Sequence, residues 1–348
     1  MRRTRATSRT ASGRRSASLL WRCSHSEDCH GYTLETETAV SIPDEVSDVA
    51  QAIPSRLAAI LLAAVLGGCA LATPRPTDLA ARFDCLRDEH LTVVAAHRGQ
   101  PDPSAAENAW SSFTASHAAH VPFLEIDVAT TRDGVLVLMH DDTLDRTTTG
   151  SGQVTEKNWP EIQALKIKRP DGVILDERVP RFADVLAWGR KIGARFELDV
   201  KRTTRFSDVV DAVRAARMQD QVLVVTYTLA DAKTVHDLDP HLMISVTLEK
   251  PEDVAAARRL INPYRMLGWT GTRDPQSRPF DVLRAAGIEP IFGTLGRPGE
   301  RLDDIYLADG NPSEYADLAR AGVVMIASDT AVIAQRAVGD GYRRCFKQ

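Results

Sequence analysis

The stretch from residue 195 to residue 227 contains two apolar segments with a more polar segment between them. It runs from Arg195-Phe-Glu-Leu-Asp-Val200 through Phe206–Met218 to Val222-Leu-Val-Val-Thr-Tyr227. Short apolar runs rich in Val and Leu are typical of buried strands, and the middle segment has the Ala-, Arg- and Asp-rich composition of a helix. A strand, a helix and a second strand in this order predict one unit of a parallel sheet.

The same alternation continues on both sides of this unit. Further strands are predicted at Val93–Ala96, Phe123–Val128, Val135–Met139, Met243–Thr247, Arg265–Trp269, Pro290–Phe292 and Val323–Ala327, with helices at Asn108–His120, Pro251–Ile261 and Phe280–Ala286. About eight strand–helix units over about 260 residues favour an α/β fold of the closed (β/α)₈ TIM barrel type. An open doubly wound sheet is the alternative, although no glycine-rich dinucleotide fingerprint supports it.

The overall composition is that of a globular protein. The chain has 348 residues, of which 43% are hydrophobic and 26% charged, and this argues against wholesale disorder, collagen or a coiled coil. The formal net charge is −4, whereas a nucleic-acid-binding domain needs excess positive charge to neutralise phosphates. We therefore expect no nucleic-acid partner and look for a small-molecule or lipid-like substrate.

The N-terminal region differs from the rest of the chain. Residues 1–55 begin with an arginine-rich stretch and are expected to form a disordered extension. Residues 56–69 contain Arg56, the apolar run Leu57–Leu66, two glycines and Cys69, an order that resembles a bacterial lipoprotein signal. The alternative is a short buried helix. Because such a signal normally stands near the start of a protein, residues 1–55 are also interpreted as an artefact of the gene model.

The lipoprotein interpretation predicts an exported, periplasmic protein anchored to the membrane by lipidated Cys69. Residues 70–90 would then be a linker and lead-in, and residues 91–348 the barrel domain. The five cysteines contain no zinc-ligand spacing, and two of them, Cys85 and Cys345, flank the domain. An oxidising compartment favours a disulfide between these two, with a pair of unpaired buried thiols as the alternative.

Ionisable residues cluster where the predicted strands end. His97 and Arg98 follow the first strand, and an imidazole beside a guanidinium suits proton transfer next to a phosphate. Glu125 and Asp127 stand two positions apart on the second strand, so both carboxylates point to one face. Such a pair at a barrel mouth favours a hard divalent cation, Ca²⁺ or Mg²⁺, whereas a solvated edge strand would carry the same acids without one.

Two later segments supply groups of the same kinds. His140 follows the third predicted strand and is the second candidate acid/base residue. Asp199 offers a third carboxylate for a metal site, with Glu197 on the same face as an alternative ligand. Lys201 adds a positive charge that suits a phosphoryl group.

Taken together, these segments resemble the glycerophosphodiester phosphodiesterase family. The segments that carry the resemblance are His-Arg-Gly at 97–99, Glu-Asn at 107–108, Glu-Ile-Asp-Val at 125–128, Thr-Arg-Asp-Gly at 131–134, the run from Met139 to Gly150, Asp-Val-Lys at 199–201 and Ser-Asp at 328–329. The resemblance extends over about residues 91–330. It implies a (β/α)₈ barrel with a small insertion between the second and third barrel strands, from Asp141 to Pro180, and makes Val135–Met139 a hairpin partner of the second strand.

The resemblance also implies roles for individual residues. His97 and His140 would form the catalytic acid/base pair. Glu125, Asp127 and Asp199 would hold one divalent cation, although the family usually has Glu where this chain has the shorter Asp199. Arg98 and Lys201 would contact the phosphate, and a glycerol hydroxyl of the substrate would be the nucleophile.

Two aromatic residues are predicted to bind substrate. The family often has a Trp at the strand end where this chain has Phe292, and Phe292 is expected to replace it against the glycerol. Trp269 is expected to line the same pocket, with a place in the core as the alternative.

The predicted function is therefore metal-dependent hydrolysis of glycerophosphodiesters to glycerol 3-phosphate and an alcohol. One alternative is phospholipase D- or C-like cleavage of lysophospholipids in the same barrel, which exposed apolar residues at its mouth would favour. The other is a catalytically silent binding lipoprotein. The sequence leaves open the alcohol, the cation, the oligomeric state and which histidine is the acid.

Overall fold

A computed structural model describes residues 78–346 of the chain. The extension at 1–55, the lipoprotein signal at 56–69 and residues 70–77 of the predicted linker therefore lie outside the described residues. The rest of the predicted linker and lead-in, residues 78–90, is described and contains a helix at Leu79–Asp88. Within residues 78–346, no helix has the length and apolar content needed to cross a membrane.

A closed barrel of eight parallel strands forms the centre of the fold. The strands of the described region are β1 (Val93–Ala96), β2 (Phe123–Thr130), β3 (Leu136–Leu138), β4 (Lys166–Lys168), β5 (Ile174–Arg178), β6 (Phe196–Val200), β7 (Val222–Thr226), β8 (Met243–Thr247), β9 (Met266–Trp269), β10 (Glu289–Gly293) and β11 (Met325–Ser328). The barrel order is β1, β2, β6, β7, β8, β9, β10 and β11, and β11 pairs in parallel with β1 to close the ring. This confirms the predicted (β/α)₈ barrel and excludes the open sheet.

The insertion lies between the second and third barrel strands, as the resemblance implies. β3 pairs antiparallel with β2, which confirms the predicted hairpin, and β4 and β5 form a separate two-stranded sheet within residues 141–180. β3 pairs with the carboxyl-terminal part of β2, and Ile167 of β4 packs against Ala106 and Ala109 in the segment before the helix at Trp110–Ala118.

Helices surround the barrel and close one end. They are α1 (Leu79–Asp88), α2 (Trp110–Ala118), α3 (Trp159–Gln163), α4 (Phe182–Ile192), α5 (Phe206–Ala216), α6 (Leu229–Leu238), α7 (Pro251–Leu260), α8 (Phe280–Ala285), α9 (Leu302–Tyr306), α10 (Ser313–Arg320), α11 (Ala331–Val338) and α12 (Arg343–Phe346). In α5, for example, Val209, Val210 and Val213 share one face and are buried against the outside of the barrel, because a helix repeats every 3.6 residues.

The first and last helices form the floor of the barrel. Phe83 of α1 packs on Phe123 of β2, and Phe346 of α12 packs edge-on against the same ring. A disulfide between Cys85 and Cys345 joins these two helices, with their Cα atoms 5.6 Å apart. The predicted disulfide is confirmed, and the alternative of two unpaired thiols is wrong.

Candidate active site

The acidic side chains of β2 and β6 lie side by side inside the barrel. The two strands pair in parallel with Glu125 opposite Glu197 and Asp127 opposite Asp199, so all four carboxylates share the inner face. One ligand oxygen from each of Glu125, Asp127 and Asp199 falls within a group whose atoms are no more than 4.8 Å apart. Adjacent parallel strands thus bring together three carboxylates that are up to 74 positions apart in the sequence.

Lys201 compensates part of this negative charge. Its Nζ lies 2.6 Å from Oδ1 of Asp127 and 2.7 Å from Oδ2 of Asp199. Burial opposes ionisation of Asp127, but the Lys201 ammonium, with His140 and Arg98, holds the pKa of Asp127 below its ordinary value. Burial and the charges of Asp127 and Asp199 raise the pKa of Glu125 well above its ordinary value.

The cluster fits a hard divalent cation. Within the described region, Oδ1 of Asp199 and Oε2 of Glu197 are both buried without a hydrogen-bond partner, which leaves these oxygens available to an ion. Three carboxylates also supply the oxygen ligands that Ca²⁺ and Mg²⁺ prefer. Glu197 stands two residues before Asp199 in β6 and does not belong to the three-carboxylate group. Burial, with the nearby Asp199 charge, raises the pKa of Glu197 to about 8. Asp199 is therefore better placed than Glu197 to bind a cation together with Glu125 and Asp127.

His97 is held at the end of β1 by a buried carboxylate from the end of β11. Its Nδ1 lies 2.6 Å from Oδ1 of Asp329, whose Oδ2 accepts hydrogen bonds from the Gly296 amide and from Nη1 of Arg301. Burial opposes ionisation of Asp329, but the contacts with His97, Gly296 and Arg301 lower its pKa to about 2. Because Nδ1 is engaged, Nε2 is the ring nitrogen left for chemistry.

His140 has a similar support in the segment after β3. Its Nδ1 lies 2.7 Å from Oδ1 of Asp141, and Arg146 donates hydrogen bonds to both oxygens of that carboxylate. The hydrogen bonds from Arg146, followed by that from His140, hold the pKa of Asp141 well below its ordinary range. Each of the two histidines is therefore paired with an aspartate that an arginine also binds.

Arg98 occupies an unusual backbone conformation in the turn after β1. Its φ of 54° lies in the left-handed region, and its amide donates a 2.6 Å hydrogen bond to Oε2 of Glu125. The next residue, Gly99, has a φ of 70° and lies against the Phe113 ring with no room for a side chain. The tight turn thus connects the His97–Arg98 pair to the carboxylate cluster.

Two cavities meet at Asp199 and Tyr227. The inner cavity, of about 150 Å³, is lined by His97, Glu125, Glu197, Asp199, Val225, Thr226, Tyr227, Ser245, Thr247, Trp269, Leu295 and Ala327. The outer cavity, of about 820 Å³, is lined by His140, Asp141, Asp142, Asp199, Val200, Lys201, Arg202, Thr204, Phe206, Tyr227, Thr228 and Asp231. The two histidines therefore border different cavities, and Asp199 of the carboxylate cluster lines both.

Of the two predicted aromatic contacts, one lies at the cavity and one does not. Trp269 lines the inner cavity, where its ring lies against Gly293 and also contacts the core. The prediction for Phe292 is wrong, because its side chain is fully buried outside the barrel and packs edge-on against Phe280 at 6.0 Å. In β10 the inward neighbour is Ile291, so one position separates Phe292 from the cavity side.

Sequence reasoning missed several residues of the site. Glu107 and Arg146 stand inside recognised motifs but received no role, although charged residues in such motifs are a usable signal. Asp329 was noted only as a motif residue, and its contact with His97 spans 232 positions. Nothing in the local sequence distinguishes Arg301 from other loop arginines, and Tyr227 was read only as the end of a strand.

Comparison with known proteins agrees with this geometry. Residues 97–325 match the glycerophosphoryl diester phosphodiesterase family. The chain is 27% identical over 161 residues to a glycerophosphodiester phosphodiesterase of Caldanaerobacter subterraneus subsp. tengcongensis; this alignment covers 44% of the chain and 66% of the relative, just under two thirds of its length.

Solved structures give the same result for the fold. A glycerophosphoryl diester phosphodiesterase from Parabacteroides distasonis superposes with a TM-score of 0.62 at 26% identity, over 72% of this chain and 87% of that one. An Oleispira antarctica phosphodiesterase, solved in complex with the product sn-glycerol-3-phosphate, superposes with a TM-score of 0.55 at 19% identity, over 72% and 98% of the two chains.

Proposed function

Because the chain belongs to the glycerophosphoryl diester phosphodiesterase family, we propose that it hydrolyses glycerophosphodiesters to glycerol 3-phosphate and an alcohol. The observation that carries this proposal is that His97 and His140 border two adjoining cavities that share Asp199 of the Glu125–Asp127–Asp199 cluster. A phosphodiester is anionic and inert, so its cleavage needs positive charge at the phosphate and proton transfer at two oxygens.

The two histidines supply the proton transfers. One takes the proton of a substrate glycerol hydroxyl at its Nε2 as the hydroxyl oxygen bonds to phosphorus. The other donates a proton from its Nε2 to the alcohol oxygen as the bond between that oxygen and phosphorus breaks. Water then opens the resulting cyclic phosphate, with the proton transfers reversed, and glycerol 3-phosphate is released. Asp329 and Asp141 fix the ring orientations at Nδ1.

Positive groups around the carboxylates complete the proposed site. Glu125, Asp127 and Asp199 would hold one Ca²⁺ or Mg²⁺ ion, which when bound supplies positive charge at the phosphate. Lys201 lines the outer cavity and 19% of the Arg98 side chain is exposed, and the proposed site assigns both cations to phosphate oxygens.

The distribution of exposed apolar side chains favours a small polar substrate over a lysophospholipid. Among the described residues, the exposed large hydrophobic side chains are those of Val173, Ile174, Ile192, Tyr227, Leu260, Tyr264, Val282, Ile305 and Ile333. Of these, only Tyr227 lines either cavity. An acyl chain needs a continuous apolar surface, and single scattered side chains do not provide one.

The proposed reaction is tested by the release of glycerol 3-phosphate from glycerophosphocholine and glycerophosphoethanolamine. The purified protein is assayed with Mg²⁺, with Ca²⁺ and with EDTA, beside His97→Ala and His140→Ala. We expect cation-dependent release that is lost in both variants. Release of choline phosphate, cleavage of lysophosphatidylcholine alone, or binding without turnover would contradict the proposal and support one of the alternatives.

We also propose that the protein is exported and anchored through a lipid on Cys69. The Cys85–Cys345 disulfide supports export, because such bonds persist in oxidising compartments. Fractionation of cells that express the full chain tests this, with Cys69→Ser as the variant. We expect the native protein in the membrane fraction and the variant in the periplasmic fraction; an unchanged distribution would contradict the anchor.

A further inference from the structure

Glu107 lies in the segment between the His97–Gly99 turn and α2, and its carboxylate joins two arginines. Only 8% of the residue is exposed. Oε2 accepts a 2.8 Å hydrogen bond from Nη1 of Arg98 and a 2.6 Å hydrogen bond from Nη1 of Arg146. Oε1 accepts a 2.8 Å hydrogen bond from Nη2 of Arg146. Both carboxylate oxygens are therefore used by charged donors, which form the stronger class of hydrogen bond.

Arg146 extends this contact to the second histidine. While two of its nitrogens bind Glu107, its Nε and Nη2 donate to Asp141 at 2.7 and 2.8 Å. Asp141 in turn lies 2.7 Å from Nδ1 of His140. One series of hydrogen bonds thus runs from Arg98 through Glu107, Arg146 and Asp141 to His140.

Glu107 is the most buried side chain of this series. The side chains of Arg146 and Asp141 are 48% and 28% exposed, and an ion pair between such groups alone contributes little to order. The backbone beside Glu107 is also fixed, because the Asn108 amide donates a 2.8 Å hydrogen bond to the Arg98 carbonyl. The orientation of Arg146, and with it that of Asp141, therefore depends on Glu107.

The same residues could be mistaken for a second metal site. Glu107, His140 and Asp141 bring one ligand atom each to within 4.8 Å of one another. However, Arg146 binds both carboxylates and Arg98 binds one of them, so two guanidinium groups already balance the two negative charges. The arrangement is that of a support for side chains rather than a cation site.

We propose that Glu107 is a positioning residue for both halves of the reaction. It holds the guanidinium of Arg98 beside the carboxylate cluster, and it orients the ring of His140 through Arg146 and Asp141. This inference rests on the proposed phosphodiesterase activity for its kinetic test. It also makes a structural prediction about His140 that can be measured without turnover.

The kinetic test uses Glu107→Gln, which keeps the size of the side chain and removes its charge. We expect kcat/KM for glycerophosphocholine to fall about 10- to 100-fold, with KM raised through Arg98 and kcat lowered through His140. The matched control is Glu177→Gln, because the Glu177 carboxylate also lies near α2 but accepts a hydrogen bond from the Ser111 amide. We expect the control to retain wild-type constants. A kcat and a KM of Glu107→Gln that both lie within twofold of wild type would overturn the proposal.

A second pair of variants separates positioning from a general loss of structure. Arg146→Gln interrupts only the branch to His140, so we expect kcat to fall while KM stays within twofold of wild type. In Asp141→Asn that branch is already broken, so adding Glu107→Gln should lower kcat little further. Losses in kcat that multiply in the double variant would show that Glu107 does not act through Asp141, and would overturn the proposal.

Nuclear magnetic resonance of the His140 imidazole separates failure of this inference from failure of the proposed function. We expect the Nδ1 proton of His140, protected by Asp141 in the wild type, to shift and to exchange faster with water in Glu107→Gln. If the wild type has no activity, this signal still tests the proposal. An unchanged signal in a folded variant would overturn it.

Discussion

At the scale of single residues, the charge of Asp329 makes the clearest prediction. Its pKa is about 2 in the folded protein, below the ordinary value near 3.9, so the folded state favours the ionised form. A depressed pKa gives stability that is fully present above about pH 4 and is lost as the pH falls through about 2. The difference corresponds to about 2–3 kcal/mol at neutral pH.

We therefore expect Asp329→Asn to have a lower free energy of unfolding in urea at pH 7 than the wild type. The difference between the two proteins should narrow between pH 4 and pH 2. The control is Asp317→Asn, which changes an aspartate at the exposed ion pair with Arg320. An equal difference in the free energy of unfolding at pH 7 and at pH 2.5 would contradict the assignment of this stability to the Asp329 charge.

The choice between Asp199 and Glu197 gives a second prediction at this scale. Asp199→Asn removes a ligand charge from the three-carboxylate group, so we expect the affinity for Mg²⁺ or Ca²⁺ to fall at least tenfold. Asp199→Glu keeps the charge, so we expect it to retain most of the affinity for the cation. Isothermal titration with each cation measures the effect, with Glu197→Gln in parallel. Loss of affinity in Glu197→Gln but not in Asp199→Asn would make Glu197 the ligand.

The polar residues of the site could be predicted where strand periodicity decides their direction. Glu125 and Asp127 were placed on one face by their spacing, and the structure has both inside the barrel. Phe292 was instead placed at the substrate by the family resemblance, and the alternation of β10, which points Ile291 into the barrel, puts Phe292 outside it. The contact between Arg301 and Asp329 depends on how two distant loops meet, which no local pattern encodes.

At the scale of secondary-structure elements, the turn after β1 makes the next prediction. A Cβ added at Gly99 would overlap the ring of Phe113 in α2, whereas at Gly134 nothing lies within 4 Å. Both glycines have positive φ, 70° and 80°, so a change to alanine strains both turns alike. The difference between the two variants therefore isolates the contact with Phe113.

We expect Gly99→Ala to lower the free energy of unfolding by about 1–3 kcal/mol more than Gly134→Ala does, the usual cost of forcing a carbon into a packed interior. Gly99→Ala should also reduce activity, because the displaced turn carries His97 and Arg98. Urea unfolding and the phosphodiesterase assay measure both effects. Equal stability of the two variants would contradict the close packing of the turn on α2.

The barrel strands and the four helices with predicted ranges, α2, α5, α7 and α8, lie within two residues of their predicted bounds, whereas β4 and β5 were not predicted. β8 occupies its predicted range, and α5 ends two residues earlier than predicted. β4 and β5 were missed because in β5 exposed residues alternate with half-buried ones, so no apolar run marks the strand. The positive φ of Arg98 could not be predicted either, because a residue other than glycine gives no sign of that conformation.

At the scale of the whole molecule, the barrel separates a floor that provides stability from a mouth that carries the proposed active site. The Cys85–Cys345 bond lies in the floor and closes a loop with a sequence separation of 260. His97, by contrast, follows the carboxyl end of β1 at the mouth, and Asp329 follows the carboxyl end of β11. This arrangement is typical of (β/α)₈ barrels, in which changes at the floor affect stability more than activity.

We therefore expect Cys85→Ala/Cys345→Ala to lose stability while keeping wild-type kcat and KM at 25 °C. Chain entropy alone gives a loss on the order of 5 kcal/mol for so long a loop, and removing a native disulfide commonly costs about 2–5 kcal/mol. Urea unfolding with and without dithiothreitol measures the loss, and reductant should leave the double variant unchanged because it has no bond to break. The first and last helices separate only when the chain unfolds. The double variant should therefore have a lower urea concentration at its unfolding midpoint, while its kcat in the folded state stays unchanged. A lower kcat of the double variant at urea concentrations where it is still folded would contradict the separation of floor and mouth.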